Sequence, residues 1–257
     1  MRCSPQNKGV VIKSFTRNHM ARFLLKTEPL LSWVSGTEVE LSSEESHHLA
    51  KVLRMQVGEE CELINGLGIV AKAKIQDNHA KRARCLILEV RKEPPLNRIH
   101  IAFAIPKSNA LDFIIHRCTE AGVGSFQPLV TDHSSKISSW NEDRWERVVL
   151  ETSKQCQEAY FPVVLNPMGL NSWLLEKRDR ERELIFCDEQ ARHDVLTNVS
   201  TEHQVDFLIG SEGGWSETER GLLQKEGRGL GLGKNRLRAE TACLVALTLL
   251  KKHWNEL

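Results

Sequence analysis

The pattern of hydrophobic and polar positions divides the chain into two regions of different secondary structure. In the first region, residues 38–92, short hydrophobic runs are separated by turn-forming residues. Asn65-Gly66 and Asp77-Asn78 mark two such turns, and Asn-Gly between hydrophobic runs is a strong hairpin signal. Ser42 and Glu45 have the spacing of a capping box and indicate one short helix. We predict a small β-barrel with strands at 61–64, 69–75 and 83–90.

The second region begins after Pro94-Pro95, where we place a domain boundary. Beyond it, apolar runs typical of buried strands alternate with segments of helical spacing. The predicted strands are 99–105, 126–130, 184–187 and 205–209, and the predicted helices are 111–121, 143–159 and 241–254. Such alternation favours an α/β fold with a mostly parallel sheet that is covered on both faces.

The first 19 residues differ from both regions because they contain four basic residues, no acid and no sustained period. We predict a disordered extension at 1–19, a first domain at 20–93 and a second at 94–257. An upstream start codon and a short organelle presequence are the alternatives for the extension.

Charge and cysteine usage narrow the class of protein. Residues 1–92 carry 15 Lys and Arg against 10 Asp and Glu, whereas the whole chain has a formal net charge of only +1. A basic module attached to a near-neutral one suits an enzyme that holds a polyanion, although chance unevenness explains the same count. The seven cysteines occur singly, without a C-x-x-C pair, and no apolar run reaches the roughly 18 residues of a membrane helix. We therefore expect a cytoplasmic protein with no zinc and no membrane span.

Two glycine-rich segments, 208–219 and 230–242, carry the candidate chemistry. In the first, an apolar strand runs into a glycine turn, and Ser216-x-x-Glu219 then caps a helix. Glycines let backbone N–H groups approach a ligand, and ligands of open α/β sheets bind at such carboxyl-end loops. Neither segment matches G-x-G-x-x-G or the phosphate-binding loop, which disfavours a nicotinamide enzyme or a nucleotidase. Tight connections without a ligand remain the alternative.

Together these segments resemble the bacterial family that forms N3-methyluridine in small-subunit ribosomal RNA, a member of the SPOUT class. The resemblance runs from Met20 to Trp254, and its elements follow in the family's order. They are His47-His48-Leu49-x-x-Val52-Leu53-Arg54 with Val57-Gly58, Lys107 through Asp112, Thr119-Glu120-Ala121-Gly122-Val123 with Pro128-Leu129, Gln155 with Pro162, Gly210-x-Glu212-Gly213-Gly214, and Leu232-Gly233 through Leu237-Arg238-x-Glu240-Thr241-Ala242.

The resemblance implies a PUA-like RNA-binding barrel at 20–93, a trefoil-knotted methyltransferase domain at 94–257, a homodimer and a 16S rRNA substrate. It also implies that 208–214 and 232–241 wrap S-adenosyl-L-methionine. The expected cofactor contacts are Leu208, Ile209, Gly210, Glu212, Gly213, Gly214, Leu232, Gly233, Leu237, Arg238 and Thr241, and Glu189 is a further candidate because it follows a predicted strand.

The chemistry of uridine N3 suggests which side chains act. The base must be unpaired and lose its N3 proton, and a nearby cation would stabilise the negative charge that develops. We assign Arg238 to that role, with Glu240 orienting it or sharing the proton; a surface ion pair is the alternative. Arg22, Arg54 and Lys107 are candidate RNA contacts. His47-His48 has no third ligand at useful spacing, so we expect no metal site.

Several residues depart from the family pattern, mostly on the side that would face RNA. They are Ser211 for a proline, Asp132-His133 for Glu-Arg, Lys154 for a glutamate, Glu158 and Tyr160 where arginines are common, and Asn235 for an arginine. These departures leave two alternatives open: a knotted methyltransferase for another RNA position, and an RNA-binding assembly factor without catalysis.

Overall fold

The structure is a computed structural model that describes residues 20–25, 33–94, 98–106, 110–136, 140–177, 182–191, 196, 199–200 and 203–256. The expected extension 1–19 and the candidate Lys107 lie outside these residues. The described part contains two β-sheets, one of five strands and one of seven.

The first sheet holds the strands in the order β1-β3-β4-β5-β2. The strands are β1 (Arg22–Leu24), β2 (Glu38–Glu40), β3 (Glu60–Ile64), β4 (Ile69–Asp77) and β5 (Arg84–Lys92). β1 runs parallel to β3, and the other pairs are antiparallel. The hairpin predicted at Asn65-Gly66 is confirmed, because β3 pairs with β4 across this turn. The Asn65 side chain accepts the N–H groups of Leu67 and Ile69, which fixes the turn.

The predicted helix of the first region begins where the capping residue requires. Ser42 accepts the N–H of Glu45, and helix α1 (Ser43–His47) continues into a π-helical turn, His48–Val52. The Glu45 carboxylate bonds to Lys154 in the second region. The chain leaves the π-helical turn at Arg54, a non-glycine residue with a left-handed φ of 54°.

The second sheet is parallel throughout, in the order β12-β10-β11-β6-β7-β8, with β9 also pairing with β7. Its strands are β6 (Ile99–Ala104), β7 (Ser125–Val130), β8 (Val163–Val164), β9 (Met168–Gly169), β10 (Arg182–Cys187), β11 (Gln204–Ile209) and β12 (Arg228–Leu230). The helices around it are α2 (Ala110–Glu120), α3 (Glu142–Gln155), α4 (Leu170–Lys177), α5 (Glu217–Glu226) and α6 (Ala239–His253).

Hydrophobic side chains cover both faces of this sheet, as the strand–helix alternation predicted. Ile101 and Phe103 of β6 pack with α2, α3 and α6 on one face, whereas Ala102 packs with α4 and α5 on the other. The fold is therefore the predicted α/β architecture with a separate PUA-like N-terminal sheet. The boundary at Pro94-Pro95 and the knot stay predictions.

Helix α3 is shorter than predicted, because it ends at Gln155 rather than at residue 159. Gln157 takes a left-handed φ of 59°, and the next residues turn toward the β3–β4 hairpin. There Gly68 donates to the carbonyl of Ala159, and Phe161 donates to that of Gly66. Residues 159–161 thus form hydrogen bonds with the N-terminal sheet instead of a further helical turn.

Candidate active site at the carboxyl ends of the parallel strands

The carboxyl ends of β10, β11 and β12 meet at one edge of the sheet because these strands are parallel neighbours. The loops that follow them, 188–191, 210–216 and 231–238, enclose a cleft. Its lining includes Cys187, Asp188, Glu189, Ile209, Gly210, Ser211, Gly213, Gly214, Trp215, Arg220, Leu230, Leu232, Gly233, Asn235, Arg236, Leu237, Ala239 and Ala242. Both glycine-rich segments of the sequence therefore contribute to one site.

The first glycine segment forms a tight turn that leaves little room for side chains. Gly214 has a left-handed φ of 68°, and its N–H donates to the carbonyl of Ser211. A Cβ atom on Gly210 would lie 3.3 Å from the backbone of Gly214, and one on Gly213 would lie 2.9 Å from the Cβ of His133. A side chain at Gly213 would force a neighbouring atom to shift, and one at Gly210 would be unusually tight, because the chain packs against itself and against the 131–134 turn.

Hydrogen bonds hold this glycine turn against the loop that follows β7. The Ser211 hydroxyl donates to the His133 carbonyl at 2.8 Å, and the Ser216 hydroxyl donates to the Asp132 carboxylate at 2.6 Å. Glu219 accepts the N–H of Asp132 at 2.9 Å. Ser216 and Glu219 also complete the capping box predicted for α5. The turn and the start of α5 are thus one rigid unit.

An arginine connects the three loops around the cleft. Arg236 donates to the carbonyl of Glu212 at 2.8 Å, and its Nε lies 2.7 Å from a carboxylate oxygen of Glu189. Both side chains of this ion pair are exposed, so the pair contributes little to stability. Its position places a cation and a carboxylate at the mouth of the cleft.

The lining of the cleft contains a buried carboxylate, Asp188, and a half-buried thiol, Cys187. The carboxylate of Asp188 accepts the N–H of Gln190 and lies 3.0 Å from the Nε of Arg220. Burial, with a smaller effect from Asp188, raises the pKa of Cys187 to about 12. The thiol therefore stays protonated near neutral pH and is a poor nucleophile.

Comparison with known proteins agrees with this architecture. The family model of the RNA methyltransferase domain matches residues 92–251, and that of the RNA methyltransferase PUA domain matches residues 41–88. The chain belongs to this RNA methyltransferase family. The match to the PUA domain covers most of the N-terminal sheet, and the match to the methyltransferase domain covers the cleft.

Two relatives share the name ribosomal RNA small subunit methyltransferase E. The protein from Synechocystis is 32% identical over 216 residues, which span 81% of this chain and 71% of that protein. The protein from Buchnera aphidicola (Acyrthosiphon pisum) is 31% identical over 222 residues, 82% of this chain and 86% of that protein. A solved structure of the same enzyme from Neisseria gonorrhoeae, bound to S-adenosyl methionine, superposes with a TM-score of 0.81 at 26% identity. It spans 91% of this chain and 98% of that one.

The RNA methyltransferase cleft brings together most of the residues expected to contact a cofactor. Those that line it are Glu189, Ile209, Gly210, Gly213, Gly214, Leu232, Gly233 and Leu237. Leu208 instead packs into the core beside α4 and α5, because neighbouring residues of a strand point to opposite faces. Glu212, Arg238 and Thr241 are exposed and lie outside the lining.

Sequence reasoning did not assign several lining residues to the cofactor. Asp188 and Arg220 come from a strand end and a helix, and their meeting depends on the strand order. Ala239 and Ala242 are three residues apart at the start of α6, so they share one face of that helix. This spacing was the signal that could have identified them.

Arg238 and Glu240 lie at the rim of the cleft. Arg238 occupies the N-cap position of α6 with an exposed side chain, and Glu240 lies in the first turn of that helix. Their neighbours Leu237 and Ala239 line the cleft. Both side chains are therefore next to the site but outside its lining.

The candidate RNA contacts differ in accessibility. Arg22 is buried, with its Nε bonded to Glu62 at 2.8 Å, so a phosphate would have to displace this ion pair. Arg54 is exposed beside the π-helical turn. Burial, and to a lesser extent Lys154, lowers the pKa of His48. Among the described residues, no group of three His, Cys, Asp or Glu side chains is placed to hold a metal ion, and no helix there is long and apolar enough to cross a membrane.

Proposed function

We propose that this chain is a cytoplasmic, homodimeric enzyme that transfers a methyl group from S-adenosyl-L-methionine to N3 of uridine in 16S rRNA. The observation that carries the proposal is the cleft, in which both glycine segments meet at the carboxyl ends of parallel strands. The names of the two relatives support the small-subunit rRNA substrate. The cofactor of the Neisseria structure supports the methyl donor.

The residues of the cleft fit this cofactor. Leu230, Leu232 and Leu237, with two alanines of α6, provide an apolar surface for a flat adenine ring. Asp188 and Glu189 place carboxylates where a cofactor that carries a sulfonium and an ammonium group gains electrostatic stabilisation. The tight glycine turn lets backbone groups approach the ligand closely.

The cofactor supplies an activated methyl group, so the protein mainly contributes position and electrostatics. The uridine must be turned out of its helix before its N3 becomes accessible. Arg238, exposed at the rim, would stabilise negative charge on the base, and Glu240 would orient it or share the proton. Arg54 and Lys107 would contact phosphates, whereas Arg22 would do so only after its bond to Glu62 opens.

A second candidate is methylation of another RNA position. Three residues that depart from the family pattern form hydrogen bonds within the chain. Asp132 bonds to Ser216, Lys154 to Glu45, and Tyr160 to the Glu93 carbonyl. These side chains are engaged where the family pattern has other residues, which favours altered contacts with RNA. The identity of the methylated nucleoside distinguishes the two candidates.

The decisive experiment is mass spectrometry of rRNA nucleosides from a deletion strain, with and without the gene restored. We expect N3-methyluridine to disappear on deletion and to return on restoration, and the purified enzyme should methylate 16S rRNA from that strain. A different nucleoside that responds in the same way would establish the second candidate. No methyl transfer at all would favour an assembly factor without catalysis.

A further inference from the structure

His133 crosses from the end of β7 to the glycine turn that lines the cleft. β6 lies between β7 and β11 in the sheet, yet the Cβ of His133 packs on Gly213. The Ser211 hydroxyl holds the His133 carbonyl at 2.8 Å. The residue is nevertheless exposed, so the ring is positioned beside the cleft and open to an RNA substrate.

One contact determines which ring nitrogen carries a proton. Nδ1 of His133 lies 3.3 Å from the carbonyl oxygen of Gly214. Because a carbonyl only accepts hydrogen bonds, Nδ1 must be the donor and carry the hydrogen. In the neutral ring, Nε2 then has the free electron pair and is the nitrogen that can accept a proton.

The segments next to the ring carry groups of both signs. Asp132 and Lys136 belong to its own turn, and Glu212, Glu217 and Glu219 belong to the glycine turn and α5. Two of these carboxylates have other partners: Asp132 accepts from Ser216, and Glu219 accepts the N–H groups of Asp132 and Ser216. The ring itself bonds to a backbone carbonyl.

We infer that Nε2 of His133 accepts the N3 proton of the target uridine. This inference rests on the function proposed above and names a step in it. The N–H bond breaks, its proton moves to Nε2, and its electron pair stays on N3. That pair forms the new N–C bond to the transferred methyl, while the electrons of the former methyl–sulfur bond remain on sulfur. The imidazolium then releases its proton to solvent.

The position matters because the family pattern has an arginine there. An arginine is protonated at every pH at which proteins work and cannot accept a proton. A histidine can accept a proton only in its neutral form. The methyl-transfer rate of this chain should therefore fall as the pH is lowered, and this fall, the acidic limb of the pH profile, should depend on His133.

The first test is the pH dependence of single-turnover methyl transfer at saturating cofactor and rRNA. Asparagine places its amide near the position of Nδ1 and keeps a donor for Gly214, so His133→Asn isolates the loss of Nε2. We expect a rate loss on the order of 10²-fold and loss of the acidic limb in both His133→Asn and His133→Arg. His203→Asn is the matched control, because His203 is exposed at the opposite edge of the same sheet.

A second measurement does not depend on activity. The imidazole resonances of His133, followed by NMR, should change when uridine-containing rRNA binds together with S-adenosylhomocysteine, and those of His203 should not. Cofactor affinity by calorimetry should be unchanged in His133→Asn.

The outcomes separate the two proposals. If the wild type makes N3-methyluridine and His133→Asn keeps its rate and acidic limb, the inference fails and the proposed function stands. If Glu240→Gln rather than His133→Asn removes the limb, the acceptor is Glu240. If the wild type methylates another atom, both the proposed function and the inference are wrong.

Discussion

At the scale of single residues, several departures from the family pattern form contacts within the chain. Ser211, in place of a proline, donates to the backbone of His133, in place of an arginine. Lys154 of α3, in place of a glutamate, bonds to Glu45 of α1. A pattern comparison detects each replacement separately, and only the structure shows that the replaced residues bond within the chain.

The glycine turn provides the first prediction. Gly213→Val should abolish binding of S-adenosylmethionine or S-adenosylhomocysteine in calorimetry, because its Cβ would lie 2.9 Å from His133 and displace the turn. Gly221→Val is the control: a Cβ at Gly221 has open space, and valine is no worse than glycine inside a helix. Equal affinity in both variants would contradict the assignment of the site.

Arg238 provides the second prediction. Arg238→Ala should reduce methyl transfer by about 10²–10³-fold, the usual cost of losing one charge-stabilising donor, while cofactor binding stays intact. Arg238→Lys should recover part of the rate, because it restores the charge without the planar guanidinium. Lys225→Ala, an exposed cation in the last turn of α5, should have no effect. Wild-type turnover by Arg238→Ala would make this residue structural.

Lys251 provides a prediction about pH. Burial lowers its pKa, and a Cβ on Gly122 would meet its Nζ. A lysine whose pKa is lower in the folded chain binds its proton less well there, so protonation favours unfolding. The contribution of Lys251 to the free energy of unfolding is therefore most favourable above the unfolded pKa of about 10.5. It becomes less favourable as the pH falls and the buried side chain is protonated. Lys251→Met should therefore raise the melting temperature at pH 7, and the gain should shrink toward pH 10. A gain that does not depend on pH would contradict this explanation.

At the scale of elements, long segments with a clear period were predictable and short ones were not. The hairpin of β3 and β4, the strands β6, β7, β10 and β11, and helices α2 and α6 follow the hydrophobic pattern closely. Strands of two or three residues, such as β1, β8, β9 and β12, are too short to show a period, and their pairing is set by distant neighbours. α4 also escaped prediction, and docking on the hairpin overrode the last turn predicted for α3.

The same distinction applies to the candidate site. The two glycine segments could be found along the sequence because each is local. The contributions of Asp188, Arg220 and His133 could not, because they depend on the order of β10, β11, β6 and β7 in the sheet. Local sequence predicts which loops form a cleft, whereas topology decides which side chains the loops bring to it.

The contact between Lys154 and Glu45 gives a prediction for α3 and α1. Two hydrogen bonds of 2.7 and 2.8 Å join these largely buried side chains. Lys154→Glu, the residue of the family pattern, would place two carboxylates together and should lower the free energy of unfolding by about 2–4 kcal/mol. Glu45→Lys combined with Lys154→Glu should restore part of the loss. An unchanged melting temperature in Lys154→Glu would show that the pair contributes nothing.

At the scale of the whole molecule, the two sheets are joined by contacts that the family pattern alone does not specify. Tyr160 donates to the Glu93 carbonyl, and an added Cβ on Gly68 would overlap its ring. With the Lys154–Glu45 pair, these contacts join the N-terminal sheet to the segment after α3. The arrangement would hold the basic module in a set position relative to the cleft, which suits one extended RNA substrate.

The last prediction concerns assembly. α2 and α6 pack into the same core, yet Phe113 and Leu249 remain exposed on them. We expect a two-fold dimer through the catalytic domains, in which one self-complementary surface covers such side chains. Light scattering at micromolar concentration should give about twice the 29.2 kDa mass of the chain. Leu249→Glu should shift the protein toward monomer because it would bury a charge in the interface. Leu175→Glu changes a more exposed leucine on α4, across the sheet, and should leave the mass unchanged. A monomeric wild type would contradict the dimer, and a dimeric Leu249→Glu would place its interface elsewhere.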